Sequence, residues 1–137
     1  MLKIGWFIIA VMLSVSAEPF VLITHPENPI DTLTRSEVRM IYLKKRRFWN
    51  DTKLMALNLP PNNTLRNTFE NKILQMNAVQ LDNYWVRAHY KGQRPPYRVE
   101  SLKSMLLFVK KVQGAIGYIP KSKVDSGVKV IYEEHLE

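Results

Sequence analysis

The chain contains no cysteine. Disulfides, thiolate metal sites, a cysteine nucleophile and lipid attachment through a thiol are therefore excluded. Glycine is scarce, five in 137 residues, and no short repeat or biased tract occurs, so collagen-like, coiled-coil and low-complexity classes drop out. No apolar run is long enough to cross a bilayer: the longest, Ile4 to Val15, is about twelve residues against the roughly 20 required. His25, His89 and His135 lie far apart and share no metal-ligand spacing. No serine lies in a G-x-S-x-G elbow, no acidic pair is suggestive, and no Walker-type or dinucleotide loop occurs. No enzymatic activity, metal or cofactor is expected.

What is present describes one packed domain. Hydrophobic residues make up 46% of the chain and charged residues 23%, with a net charge of +8. At the N-terminus, Lys3 precedes the apolar run, and Val15 and Ala17 fall at positions −3 and −1 of a cleavage before Glu18. Residues 1–17 are expected to be a secretory signal peptide, with residues 18–137 forming a single domain. Loss of Lys3 takes the charge from +8 to +7. The expected product is a soluble periplasmic protein without a mature transmembrane segment. With no cysteine to follow the signal, it is not a lipoprotein. Export changes the reading of the basic charge, from nucleic acid towards an anionic solute or an acidic partner.

Along the mature chain, Phe20 to Thr24 is a continuous apolar run of the kind found in buried strands, closed by the loop HPENP. Thr34-x-x-Glu37 has the form of a capping box, and Val38, Ile41 and Tyr42 predict a helix of about two turns. Leu54 to Leu59 reads as a strand stopped by Pro60-Pro61. Asn63 or Thr64 caps a helix in which Leu65, Phe69 and Ile73 share a face. Asn77 caps another, carrying Ala78, Leu81, Trp85 and Ala88. Gln93 to Val99 is expected to be an irregular crossing. An amphipathic helix spans Ser101 to Val112, a third strand starts at Ile116, and Val128 to Tyr132 alternates as a last strand.

Two places carry candidate binding chemistry. Free amides at the start of the helix near Asn63, with the positive dipole end and the charge of Arg66, suit a small oxyanion. The candidate residues are Asn63, Thr64, Leu65 and Arg66. Lys44, Lys45, Arg46 and Arg47 precede Phe48-Trp49; they serve either as a solvated helix terminus, with the two aromatics in the core, or as a surface for an acidic partner. Nucleic acid is not expected there, since export removes it. A second basic-aromatic group runs from Arg87 to Arg98 through His89, Tyr90, Lys91, Arg94 and Tyr97, and is either a partner surface or cover for a helix end.

The segment GAIGYIP, Gly114 to Pro120, following an amphipathic helix, resembles the phosphate-binding receptors of ABC transporters, of the type II periplasmic-binding-protein superfamily. HPENPIDTLTRSEVRMIYLKKRRFW is similar to that family's strand, loop and helix followed by its IF-G-K-x-x-x-W element. Residues 57–69 fall where the family carries its SGT anion loop, and Val128 to Tyr132 matches the strand after the GAIGY turn. The resemblance implies an α/β fold: one lobe of such a receptor, a small mixed sheet flanked by about four helices. It also implies binding of phosphate or another small oxyanion. This sequence departs from the pattern in three places. The family's SGT appears as Asn63-Thr64-Leu65, its preceding arginine and acidic residue are replaced around Leu57 to Pro61, and Lys44 to Arg47 replaces a glycine-lysine. These departures, with a length sufficient for one lobe, leave two expectations: weak oxyanion binding, or an accessory module contacting an acidic envelope protein or sensor domain.

Overall fold

A computed structural model describes Gly5 and residues 18–136; the expected signal peptide therefore lies outside the described residues. Strand β1 (Phe20–Thr24) is buried along its whole length, as a run apolar on both faces requires. It occupies the interior of a five-stranded sheet of order β5-β4-β6-β1-β7, built from β4 (Met55–Asn58), β5 (Tyr97–Arg98), β6 (Ala115–Pro120) and β7 (Lys129–Glu134). Antiparallel pairing with β6 sets Leu22 opposite Tyr118, and pairing with β7 sets Leu22 opposite Tyr132. β4 runs parallel to both β5 and β6. The sheet is thus mixed. Two further short strands, β2 (Phe48–Trp49) and β3 (Thr52–Lys53), form a hairpin turned through Asn50, whose φ is 53°.

Four α-helices flank the sheet. In α1 (Arg35–Tyr42) the capping box closes as its spacing predicts, with Glu37 N–H donating to Thr34 Oγ1 at 3.1 Å and Thr34 N–H to Glu37 Oε1 at 3.0 Å. Its far end is a Schellman motif: Lys44 N–H donates to the Ile41 carbonyl at 3.1 Å and Lys45 N–H to the Met40 carbonyl at 2.9 Å. Lys44 takes the left-handed position there, with φ 61°. Helix α2 (Thr64–Phe69) continues as a π-helical stretch, Glu70–Leu74, and its face Phe69 and Ile73 is fully buried. α3 (Ala78–Tyr90) has its own capping box at Asn77 and Gln80, and α4 (Leu102–Lys111) starts at Ser101.

The core is strongly aromatic where α1, α2 and the sheet meet. The rings of Phe69 and Tyr118 stack at 4.1 Å, and Tyr42 leans on Phe69 at 4.6 Å. The buried Tyr42 hydroxyl donates to the Leu57 carbonyl at 2.8 Å, with the Ile116 carbonyl at 3.2 Å, which ties α1 to both β4 and β6. Burial pushes the Tyr42 and Tyr118 hydroxyls well above the usual phenol range, so both stay neutral donors.

Both glycines of GAIGY are explained by close approach. A Cβ on Gly114 would lie 1.9 Å from the Lys53 carbonyl oxygen, where Met55 N–H donates back to the Gly114 carbonyl at 2.8 Å. A Cβ on Gly117 would meet the buried Met105 side chain of α4 at 2.7 Å. Two expectations are corrected here. Phe48 does not pack in the core: the β2–β3 hairpin turns it outward, 51% exposed, and only Trp49 packs inward. The crossing Gln93 to Val99 is not wholly irregular, because Tyr97–Arg98 adds β5 to the edge of the sheet.

Candidate functional site

The carboxyl end of β4 carries Asn58, 7% exposed at the end of an otherwise apolar strand. Its Oδ1 accepts the Leu59 N–H at 3.0 Å and a hydrogen bond from the Tyr118 hydroxyl. Because an N–H must meet an oxygen, these bonds fix the amide orientation and leave Nδ2 as the free end. Among the described residues Nδ2 has no hydrogen-bond partner, and Asn58 lines a cavity of about 590 Å³.

Arg66 lines the same cavity. It projects from the first turn of α2, donating from Nη1 to the Leu59 carbonyl at 2.8 Å and from Nε to Glu70 Oε1 at 2.5 Å. The Glu70 carboxylate offsets its charge, and among the described residues Nη2 has no hydrogen-bond partner. Both side chains are largely covered, 21% and 14% exposed, so the pair is held more rigidly than a surface ion pair. The remaining walls come from Leu74, from Leu81, Trp85 and Val86 of α3, and from Pro95 and Pro96 in the crossing. Arg94, Arg98 and Asp82 stand at the rim, with Arg94 Nη1 held 3.0 Å from His89 Nδ1. Part of the second basic-aromatic group therefore belongs to this cavity.

Of the candidate oxyanion residues, Arg66 faces the cavity, while Asn63, Thr64 and Leu65 form the adjoining helix start outside its lining. Asn63 is the N-cap, accepting Arg66 N–H at 3.0 Å, so the unspent first-turn amides are those of Thr64 and Leu65. The four cations of the other candidate surface separate. Lys45 and Arg47 are exposed. Arg46 instead stacks on Trp49 at 3.8 Å and bonds the Phe48 carbonyl, and Lys44 is half-buried with its ammonium pushed below the usual lysine range by that burial. Asn58 and the α3 wall were absent from the candidate residues. A lone polar residue ending an apolar strand was the available signal, since ligands of open α/β sheets gather beyond the carboxyl ends of strands.

Solved structures share this architecture. A phosphate ABC transporter substrate-binding protein from Clostridium perfringens, solved with phosphate bound, superposes with a TM-score of 0.69 at 24% identity. The match covers 83% of this chain and 44% of that one. An ABC-type phosphate transport receptor from Vibrio cholerae gives 0.68 at 20% identity, covering 83% and 45%. PstS from Borrelia burgdorferi gives 0.64 at 17%, covering 83% and 46%. The fold is that of the phosphate-transport receptors. This chain spans less than half the length of the receptors it matches, and the identities carry the fold alone. No family model matches the chain, and no curated protein does. No helix among the described residues is long and apolar enough to cross a membrane.

Proposed function

We propose that the protein is an exported binding module that holds a small oxyanion weakly, with Asn58 Nδ2 and the Arg66 guanidinium as the principal donors. The single observation that supports this reading most is the Asn58 amide, whose Nδ2 has no hydrogen-bond partner among the described residues and which shares a cavity with Arg66. The likeness in fold to a receptor solved with phosphate bound agrees with it. The Thr64 and Leu65 amides, next to Arg66 in the chain, lie outside the cavity lining and are secondary candidates as donors. Weakness follows from the Arg66–Glu70 pair, which leaves little net charge at the floor, and from a mouth open to solvent and salt. The reading includes no catalytic role.

Calorimetry with phosphate and sulfate at low ionic strength tests it. Heat is expected at millimolar anion, shrinking as sodium chloride is raised. It should vanish in Asn58→Asp, which keeps the acceptor for Leu59 N–H but turns an oxygen towards the ligand. Absence of heat in the wild type at millimolar anion removes the proposal.

The exposed Lys45 and Arg47, beside the outward Phe48, support a second reading of that loop as contact for an acidic envelope partner. Retention of the same partners by the Lys45→Glu/Arg47→Glu variant in pull-downs from periplasmic extract removes it.

A further inference from the structure

A tetrahedral oxyanion occupies only a corner of a 590 Å³ cavity. That volume falls in the range of sites for small organic ligands, about 300 to 1,000 Å³. The rest of the lining is unsuited to a bare inorganic anion. Trp85 and Val86 on α3 and Pro95 and Pro96 in the crossing line the same cavity, all four without charge. Trp85 is half-buried and held by an edge contact to Tyr84 at 5.0 Å, so its ring is presented as a fixed wall. With only phosphate at the floor these apolar surfaces would stay wet, which costs free energy that a larger ligand recovers.

Resting on the oxyanion reading of the floor, we infer that the site takes an organic anion: one phosphate or carboxylate head on an apolar, preferably aromatic, body. The head meets Asn58 and Arg66 at the floor. The body lies against Trp85 and the Pro95-Pro96 pair, with Arg94 and Arg98 at the mouth beside it. Asp82 in the lining and Glu70 beside Arg66 are acidic, and they disfavour a second anionic group on the body of the ligand.

Phenyl phosphate, inorganic phosphate and phenol, titrated calorimetrically into the same protein, separate the contributions. Phenyl phosphate is expected to bind about tenfold or more tightly than inorganic phosphate, the return on burying one aromatic ring. Phenol should give no heat over the same range. Trp85→Ala should remove the advantage of phenyl phosphate, so that the two phosphates bind the variant with equal affinity. Equal affinities for the two phosphates overturn the inference and leave the oxyanion reading standing. An advantage that survives Trp85→Ala also overturns it, because the body then lies elsewhere. If phenol binds as well as phenyl phosphate, or none of the three binds, the oxyanion reading fails as well. Should Trp85→Ala not fold, the three wild-type titrations still decide.

Discussion

Tyr118 has two roles at the residue scale. Its ring stacks on Phe69 in the core, and its hydroxyl donates to Asn58 Oδ1 while also receiving Leu59 N–H at 3.3 Å. Removing only the oxygen should leave the stack in place and loosen the amide. Asn58 Oδ1 keeps Leu59 N–H, so no buried donor is orphaned. Tyr118→Phe should therefore lower stability by about 1 kcal/mol, the net value of one such bond, rather than the several expected of a core truncation. Urea unfolding measures this from the shift in midpoint at unchanged slope. Anion binding should weaken in the same variant, because the Asn58 side chain loses one of the two contacts that aim Nδ2 into the cavity. An unshifted urea midpoint would show that Asn58 is held without the tyrosine.

At the scale of elements, the left-handed turn after α1 shows how a departure from the receptor pattern registers in structure. The sequence resemblance sets a glycine-lysine where this chain has Lys44 to Arg47, and Lys44 sits at φ 61° in the position a Schellman motif reserves for glycine. A left-handed residue with a Cβ costs about 1 to 2 kcal/mol, part of which a glycine returns to the unfolded chain as entropy. Half-burial of the ammonium adds to the cost. Lys44→Gly should then stabilise the fold by about 1 kcal/mol and raise the melting temperature by about 3 to 5 °C, read by calorimetric scanning. No rise, or a fall, means that the lysine stem packs well enough to repay the strain. Elements with local signals were legible in the sequence. The Thr34 and Asn77 caps, the i, i+3, i+4 faces of α1 and α4, and the unbroken apolar run of β1 each follow from a few neighbouring residues. The two-residue strands β2, β3 and β5 were not, because such strands exist only through partners elsewhere in the chain. The same applies to the cavity. Arg66 was readable as a charge in a first helical turn, whereas its wall is assembled from α1, β4, α2, α3 and the proline crossing, which no local pattern links.

On the scale of the whole molecule, residues 18–136 share one hydrophobic core, and Glu18 and Pro19 are already tied to it. Glu18 Oε1 accepts Ser122 N–H at 2.7 Å, the Pro19 carbonyl accepts Lys121 N–H at 2.9 Å, and Phe20 is already fully buried in the sheet interior. These bonds pin the beginning of β1 to the end of β6, beside the short 3₁₀ turn Lys121–Lys123. Cleavage after Ala17 would retain these bonds, and the net charge would fall only by the loss of Lys3. Two measurements follow from the proposal that residues 1–17 are a signal peptide. A chain starting at Glu18 should unfold cooperatively, as a single core of this size does. When the full-length gene is expressed in a bacterium, the protein recovered from the periplasmic fraction should have the intact mass of residues 18–137. A full-length mass retained in the membrane fraction would instead identify the apolar run as an uncleaved anchor. The anion and partner readings would then apply to a tethered domain, with the cavity of α3 and β4 presented at a membrane surface.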